Sequence, residues 1–261
     1  MLKIRLITAS FLIPLILGSV YFGGLVFFAL VTLVLLFAGA EFFKMARHAG
    51  YSAMPVWGGT LIALLAWNAF NPTDHFRLIV TGLIIAALVL GVFRHAEGWL
   101  AGWAITLAGA LYIGGLGGYF LLVRNLPNGM IWTIAALVTA WMTDTGAYLA
   151  GTRLGRHGFF TRISPKKTWE GAIGGWVAAP LTMLALGSIL ALPLWHCVIL
   201  GLLIWIAATF GDLAESLLKR QTGVKDSSHI VPGHGGVLDR LDSLLFAAVV
   251  TYYYLVWVLH V

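Results

Sequence analysis

Long apolar runs broken by short polar stretches leave this chain little choice of fold. A membrane-spanning helix needs roughly 17–25 mostly apolar residues, and only a segment that satisfies its own backbone hydrogen bonds can cross hydrocarbon. Runs of that kind fall at about 6–21, 23–40, 55–70, 76–93, 99–123, 130–150, 171–190, 194–211 and 243–260. They predict an all-α polytopic integral membrane protein with about nine transmembrane helices. Hydrophobic residues make up 60% of the 261 and charged residues only 10%, so no stretch remains for a soluble domain. The chain reads as one membrane domain over 1–261. The lone Cys197 excludes an intramolecular disulfide. Lys3 and Arg5 precede the first run as in a signal peptide, but no small-residue cleavage site follows, so the run reads as a retained span.

Basic residues orient the spans. With a cytoplasmic N-terminus and nine spans, 14 of the 16 Lys and Arg fall on the inside, and only Arg77 and Arg124 fall outside. The expected topology is N-terminus in and C-terminus out. The net charge of +6 then describes a basic cytoplasmic face, suited to anionic lipid headgroups and nucleotides. Nucleic acid is excluded as a partner, because no soluble basic module carries it.

The acids are unevenly placed. Residues 1–128 hold Glu41, Asp74 and Glu97, all expected in short loops, and this half reads as scaffold. The other seven acids lie in 129–261, the expected catalytic half. Gly114 with Gly118, and Gly171 with Gly175, form small-xxx-small pairs. Packing within one chain is their expected use, and a homodimer contact is the alternative.

Four polar groups stand out. Asp144 lies about six residues inside the end of its span, where a lone carboxylate is costly unless it faces a partner or cavity. The following loop holds Arg153, Arg156, Arg162, Lys166 and Lys167, with Ser164 and Thr168 beside them. Such a run suits phosphates, although an inside loop is basic for topological reasons too. Asp212, Glu215, Ser216 and Lys219 share one helix face, with Glu215 and Lys219 spaced as an ordinary i,i+4 ion pair. Asp239 and Asp242 stand one turn apart after the tight loop Pro232-Gly233-His234-Gly235-Gly236. Two such carboxylates suit a divalent cation, and helix capping is the competing use. Glycine-rich backbone of this kind can also approach an anion. All four groups fall on the predicted cytoplasmic side. Cations beside carboxylates suggest phosphoryl or nucleotidyl transfer.

The spacing Ser216-x-Leu218-Lys219-Arg220, then Lys225-Asp226, then Pro232-x-His234-Gly235-Gly236-x-x-Asp239-Arg240-x-Asp242 resembles the signature of phosphatidate cytidylyltransferases, the CDP-diacylglycerol synthases. Ser164-Pro165-Lys166-Lys167-Thr168-Trp169-Glu170-Gly171 and Thr143-Asp144-x-x-Ala147-Tyr148 resemble two further motifs of that family. Val231 departs conservatively from the family's usual Leu, Ile or Phe. The resemblance implies the reaction CTP + phosphatidate → CDP-diacylglycerol + pyrophosphate with Mg²⁺, one ion or two, at the cytoplasmic face of a bacterial inner membrane. On that basis Asp144, Asp212, Asp239 and Asp242 are the expected metal ligands, with Lys219 catalytic beside them. Ser164, Lys166, Lys167, Thr168, Arg220, Lys225, Asp226, His234 and Arg240 are the expected substrate contacts. The alternatives are a CTP-dependent enzyme acting on an ether-lipid phosphate or polyprenol, and an ion-coupled transporter, which would carry acids near the bilayer midplane and repeated halves.

Overall fold

The computed structural model describes residues 2–94, 97–233 and 235–261, with side chains from residue 8 onward except that of residue 94. His234 lies outside the described residues. Helix dominates those that are described, and their only β pairing is two isolated bridges, Gly158 with Thr168 and Val231 with Gly235. The helices are α1 (Leu2–Phe22), α2 (Gly24–His48), α3 (Pro55–Phe70), α4 (Phe76–Arg94), α5 (Trp99–Ala110), α6 (Leu116–Asn125), α7 (Gly129–Leu154), α8 (Trp169–Gly187), α9 (Leu194–Gln221) and α10 (Leu238–Trp257). A π-helical turn, Leu111–Gly115, joins α5 to α6 without a break.

Each expected span overlaps helix: 99–123 covers α5, the π-helical turn and α6, while 171–190 and 243–260 run past the ends of α8 and α10. Five stretches are long and apolar enough to cross a membrane: Gly24–His48, Phe76–Phe93, Trp99–Asn125, Trp169–Leu190 and Leu194–Gln221. Thr8–Phe22 and Pro55–Phe70 are shorter apolar helices, and α7 and α10, which carry Asp144 and Asp242, are outside the set of five. On α4 the large side chains Leu78, Val92 and Phe93 are exposed, as expected of a surface solvated by lipid. The protein is a polytopic helical membrane protein.

The chain divides into two compact units that interleave in sequence. One comprises the residues up to Leu122 together with Gln221–Asp239, and the other Val123–Arg220 with Arg240–Val261. The first unit is built on α2, α3 and the α5–α6 run, around Leu35, Phe43, Ile62, Ile113 and Leu121, all fully buried. Its small residues serve close packing. A Cβ on Gly114 would come within 2.8 Å of the Ile62 Cα, and one on Gly118 within 3.1 Å of the Ala69 Cβ. In the second unit α7 and α8 are pressed together. A Cβ on Gly171 would meet the Ala147 carbonyl at 2.9 Å, and one on Gly175 the Thr143 carbonyl at 3.1 Å. Both small-xxx-small pairs are therefore used within the chain.

One expectation is corrected in the first unit. Glu41 is not in a loop: it lies inside α2, seven residues before its end, and is only 2% exposed. Hydropathy placed the end of the span at residue 40 because the Glu41, Lys44 and Arg47 charges end the apolar run. The helix itself continues to His48.

Candidate active site

In the second unit, helices α7, α9 and α10 carry the carboxylates and the α7–α8 connection supplies a cation. Asp212 projects from the last third of α9, two turns before Lys219. Its Oδ2 lies 2.7 Å from Lys167 Nζ, which also reaches the Thr209 carbonyl at 3.5 Å. Thr168 is the N-cap of α8: its Oγ1 accepts from the Gly171 amide at 3.1 Å. Glu170, on the first turn of α8, takes the amides of Arg156 and His157 and sits 2.6 Å from His157 Nδ1. These bonds fold the connection back onto the start of α8, so that Lys167 leaves it next to the cap.

Asp212, Glu215 and Asp242 each offer a carboxylate oxygen, and these oxygens lie within 4.8 Å of one another. Gly211 makes the approach possible. A Cβ there would stand 2.4 Å from the Asp242 carbonyl oxygen and 3.2 Å from the Ser243 Cα. Only a residue without a side chain lets α9 lie this close to the start of α10. Asp144 enters from α7, where its Oδ2 accepts from the Ser243 hydroxyl at 3.3 Å. The Ser243 amide itself reaches Asp242 Oδ1 at 2.6 Å. Ser216 donates to Asp212 Oδ1 at 3.4 Å.

The charges are unevenly compensated. Lys167 pairs with Asp212, and Lys219 pairs with Glu215, which is fully buried. Among the described residues no ion pair covers Asp144 or Asp242. Asp144, Asp212, Glu215 and Asp242 bring carboxylate oxygens together beside two paired lysines. Hard divalent cations take oxygen ligands of this type, so the donor set fits such an ion. Arg220 donates its Nε to the Ile163 carbonyl at 3.4 Å, which ties the end of α9 to the basic loop. Arg240, Lys166 and Arg162 are exposed, and Ser164 is half-buried in the same loop.

The remaining motif residues belong to the first unit. Asp239 Oδ2 accepts from the Ser227 amide (3.0 Å), the Ser227 hydroxyl (2.8 Å) and the Gly236 amide (2.8 Å). Asp239 thus caps and closes its own loop. The glycine-rich backbone expected to approach an anion does so, and the anions are the protein's own: Gly236 N–H goes to Asp239, and the Val237 and Leu238 amides go to Glu41. Lys225 and Asp226 are exposed in the same segment.

Three participants escaped the sequence reading. Glu215 shares the face of Asp212, which was visible, but its spacing from Lys219 suggested an ordinary i,i+4 ion pair. Ser243 has no distinguishing pattern. Gly211 precedes Asp212 directly, and a glycine ahead of an acid at the end of an apolar run was the available signal.

Carboxylates from three helices of a membrane protein, Glu215 buried, Asp212 and Asp242 half-buried and Asp144 exposed, meet lysines from separate motifs in a donor set able to hold a divalent cation. The model of the Cytidylyltransferase family matches residues 3–258, nearly the whole chain, and the protein belongs to that family. It is 35% identical to a phosphatidate cytidylyltransferase of Synechocystis sp. over 98% of this chain and 97% of the relative. A Pseudomonas aeruginosa protein of the same name is 35% identical over 98% of this chain and 97% of its own length. One from Brucella suis is 34% identical over 96% and 92%.

Proposed function

We propose that this protein transfers the cytidylyl group of CTP to the phosphate of phosphatidate, giving CDP-diacylglycerol and pyrophosphate. The observation that carries the reading is the meeting of three motifs in one place. Asp144, Lys167 and the Asp212–Glu215–Asp242 cluster come from separate stretches of a chain whose full-length relatives are phosphatidate cytidylyltransferases.

The chemistry asks for charge management more than for a general base. An oxygen of the lipid phosphate, already anionic near neutral pH, attacks the α-phosphorus of CTP. The bond from that phosphorus to the bridging oxygen breaks, and pyrophosphate leaves with the electron pair. Asp212, Glu215 and Asp242 would hold Mg²⁺, with Asp144 at the edge of the site. The ion, when bound, screens the polyphosphate from the carboxylates and stabilises charge on the leaving group. Lys167 and Lys219 hold Asp212 and Glu215 in place, and with Arg220 and Arg240 supply positive charge for the phosphates. Lys166, Ser164 and Thr168 border the same loop. Lys225, Asp226 and His234 are assigned to substrate on the motif alone. Asp239 is assigned to the loop it closes, since its Oδ2 already takes three donors.

The distribution of basic residues supports nine spans, with the N-terminus and the site facing the cytoplasm and the C-terminus outside. Purified protein given labelled CTP, phosphatidate and Mg²⁺ should form a CTP-dependent labelled lipid. Absence of that lipid, with the protein folded, would refute the assignment.

A further inference from the structure

We infer that Glu41 is a positioning residue for the reaction, holding the motif-bearing segment Gln221–Asp239 and fixing where α10 begins. This rests on the reading that Lys225, Arg240 and Asp242 serve catalysis. Glu41 lies in the half of the chain without motifs, yet it is 2% exposed and both its oxygens are engaged. Oε1 accepts the Ser228 hydroxyl and the Val237 amide, the latter at 3.0 Å. Oε2 accepts the Leu238 amide at 2.7 Å, and Ser227 Oγ lies 3.0 Å away. Ser227 Oγ also lies 2.8 Å from Asp239 Oδ2, so its one proton serves two carboxylates.

The partners of Glu41 sit at the two ends of a single stretch. Ser227 and Ser228 follow Lys225 and Asp226 directly. Val237 and Leu238 are the last residue before α10 and its first. One carboxylate thus closes the stretch into a loop and caps the helix that carries Asp239, Arg240 and Asp242. Acceptors at a helix N-terminus satisfy amides that have no partner within the helix, and a negative charge there is favoured by the helix dipole. The fit has no slack. A Cβ on Gly236 would fall 2.0 Å from Ser227 Oγ and 2.7 Å from Glu41 Oε2. Because Asp242 is four residues beyond Leu238 on one continuous helix, the residue that fixes where the helix starts also fixes the register of Asp242.

Glu41→Gln tests this with little change of shape, because its amide group turns two N–H donors toward groups that themselves donate. The expected result is a fall in kcat of about ten- to a hundredfold, with a smaller change in KM for CTP. Hydrogen exchange at Val237 and Leu238 should quicken by at least about tenfold, while α3 and α9 exchange as in the parent. Parental kcat, or exchange raised evenly over the whole protein, would overturn the inference, the second by showing a general stabilising role. If Glu41→Gln does not fold, Ser228→Ala removes one donor from the loop side. It should lower kcat severalfold and loosen the same two amides, and parental values for both would overturn the inference. Asp242→Asn run in parallel separates the two ideas. If it stays active, the assignment of the site fails, and if only Glu41→Gln stays active, the inference fails.

Discussion

Lys167 reaches from the α7–α8 connection to within 2.7 Å of Asp212 on α9, joining two sequence motifs 45 residues apart. Neither side chain is fully buried, with 23% and 33% exposed, so the pair adds little to stability. Under the proposed function, the lysine held beside this carboxylate serves the phosphates of the substrate. Lys167→Met should leave thermal stability in detergent within about 1 kcal/mol of the parent. It should lower kcat/KM for CTP by about ten- to a hundredfold, the worth of one charge-assisted bond. Lys167→Arg should recover part of that loss. Unchanged kinetics in Lys167→Met would make the contact a topological cation at rest on an acid.

The carboxylate cluster is the proposed metal site. Asp212→Asn and Asp242→Asn should each abolish turnover while the protein still inserts into membranes, because each removes a ligand charge from a set already close together. EDTA should stop the reaction and Mg²⁺ should restore it. Product formed at the parental rate in EDTA would remove the metal from the site.

Glu215 and Lys219 give a different result from an exposed i,i+4 pair. Lys219 keeps only 13% of its side chain exposed and Glu215 none. Removing one partner leaves the other charge buried, at a cost of roughly 3–5 kcal/mol. Lys219→Ala should therefore lose stability as well as activity. Glu215→Leu combined with Lys219→Met should regain stability, since apolar replacement of a buried pair is often neutral, without regaining activity. Thermal unfolding and CTP turnover, measured on the same samples, check both halves.

What could be read in advance depended on how a residue announces itself. Asp144, Asp212 and Asp242 were visible because a carboxylate in or against an apolar helix is costly and needs a reason. Glu41 bears the same cost but sits next to Lys44 and Arg47, so the charges together look like the end of a span. Its partners are 186 to 197 residues away, a distance no local pattern reports. Asp239 shows the opposite problem. Capping and metal ligation both place an acid at a helix start, and sequence cannot separate them. In the structure Asp239 Oδ2 takes three donors from its own loop, which is the capping arrangement. The positions of the helices were legible because hydropathy and the need for satisfied backbone groups leave few alternatives, but α2 and α9 run on to His48 and Gln221, beyond the apolar spans expected to end at 40 and 211.

The topology can be tested on exposed positions outside the proposed machinery. With Cys197→Ser as background, cysteines at His157 and His229 should react with an impermeant reagent from the same, cytoplasmic side of sealed vesicles. Both residues are exposed. Labelling from opposite sides would break the nine-span arrangement and the site built on it.

Gly211→Ala separates packing from chemistry. The new methyl would start 2.4 Å from the Asp242 carbonyl oxygen, which is backbone and cannot rotate away. Relief requires α9 and the start of α10 to part, which moves the oxygens of Asp212 and Glu215 away from Asp242. Overpacking of this kind costs about 1–3 kcal/mol, so the protein should still fold. Activity should fall much further than stability, and the Mg²⁺ concentration for half-maximal rate should rise. Gly82→Ala on α4 is the control, because nothing lies within 4 Å of its added Cβ. It should keep parental activity and gain a little stability from the better helix former. If Gly211→Ala retains the parental Mg²⁺ dependence, the approach of α9 to α10 is not what assembles the cluster, and the three carboxylates do not act together on one ion.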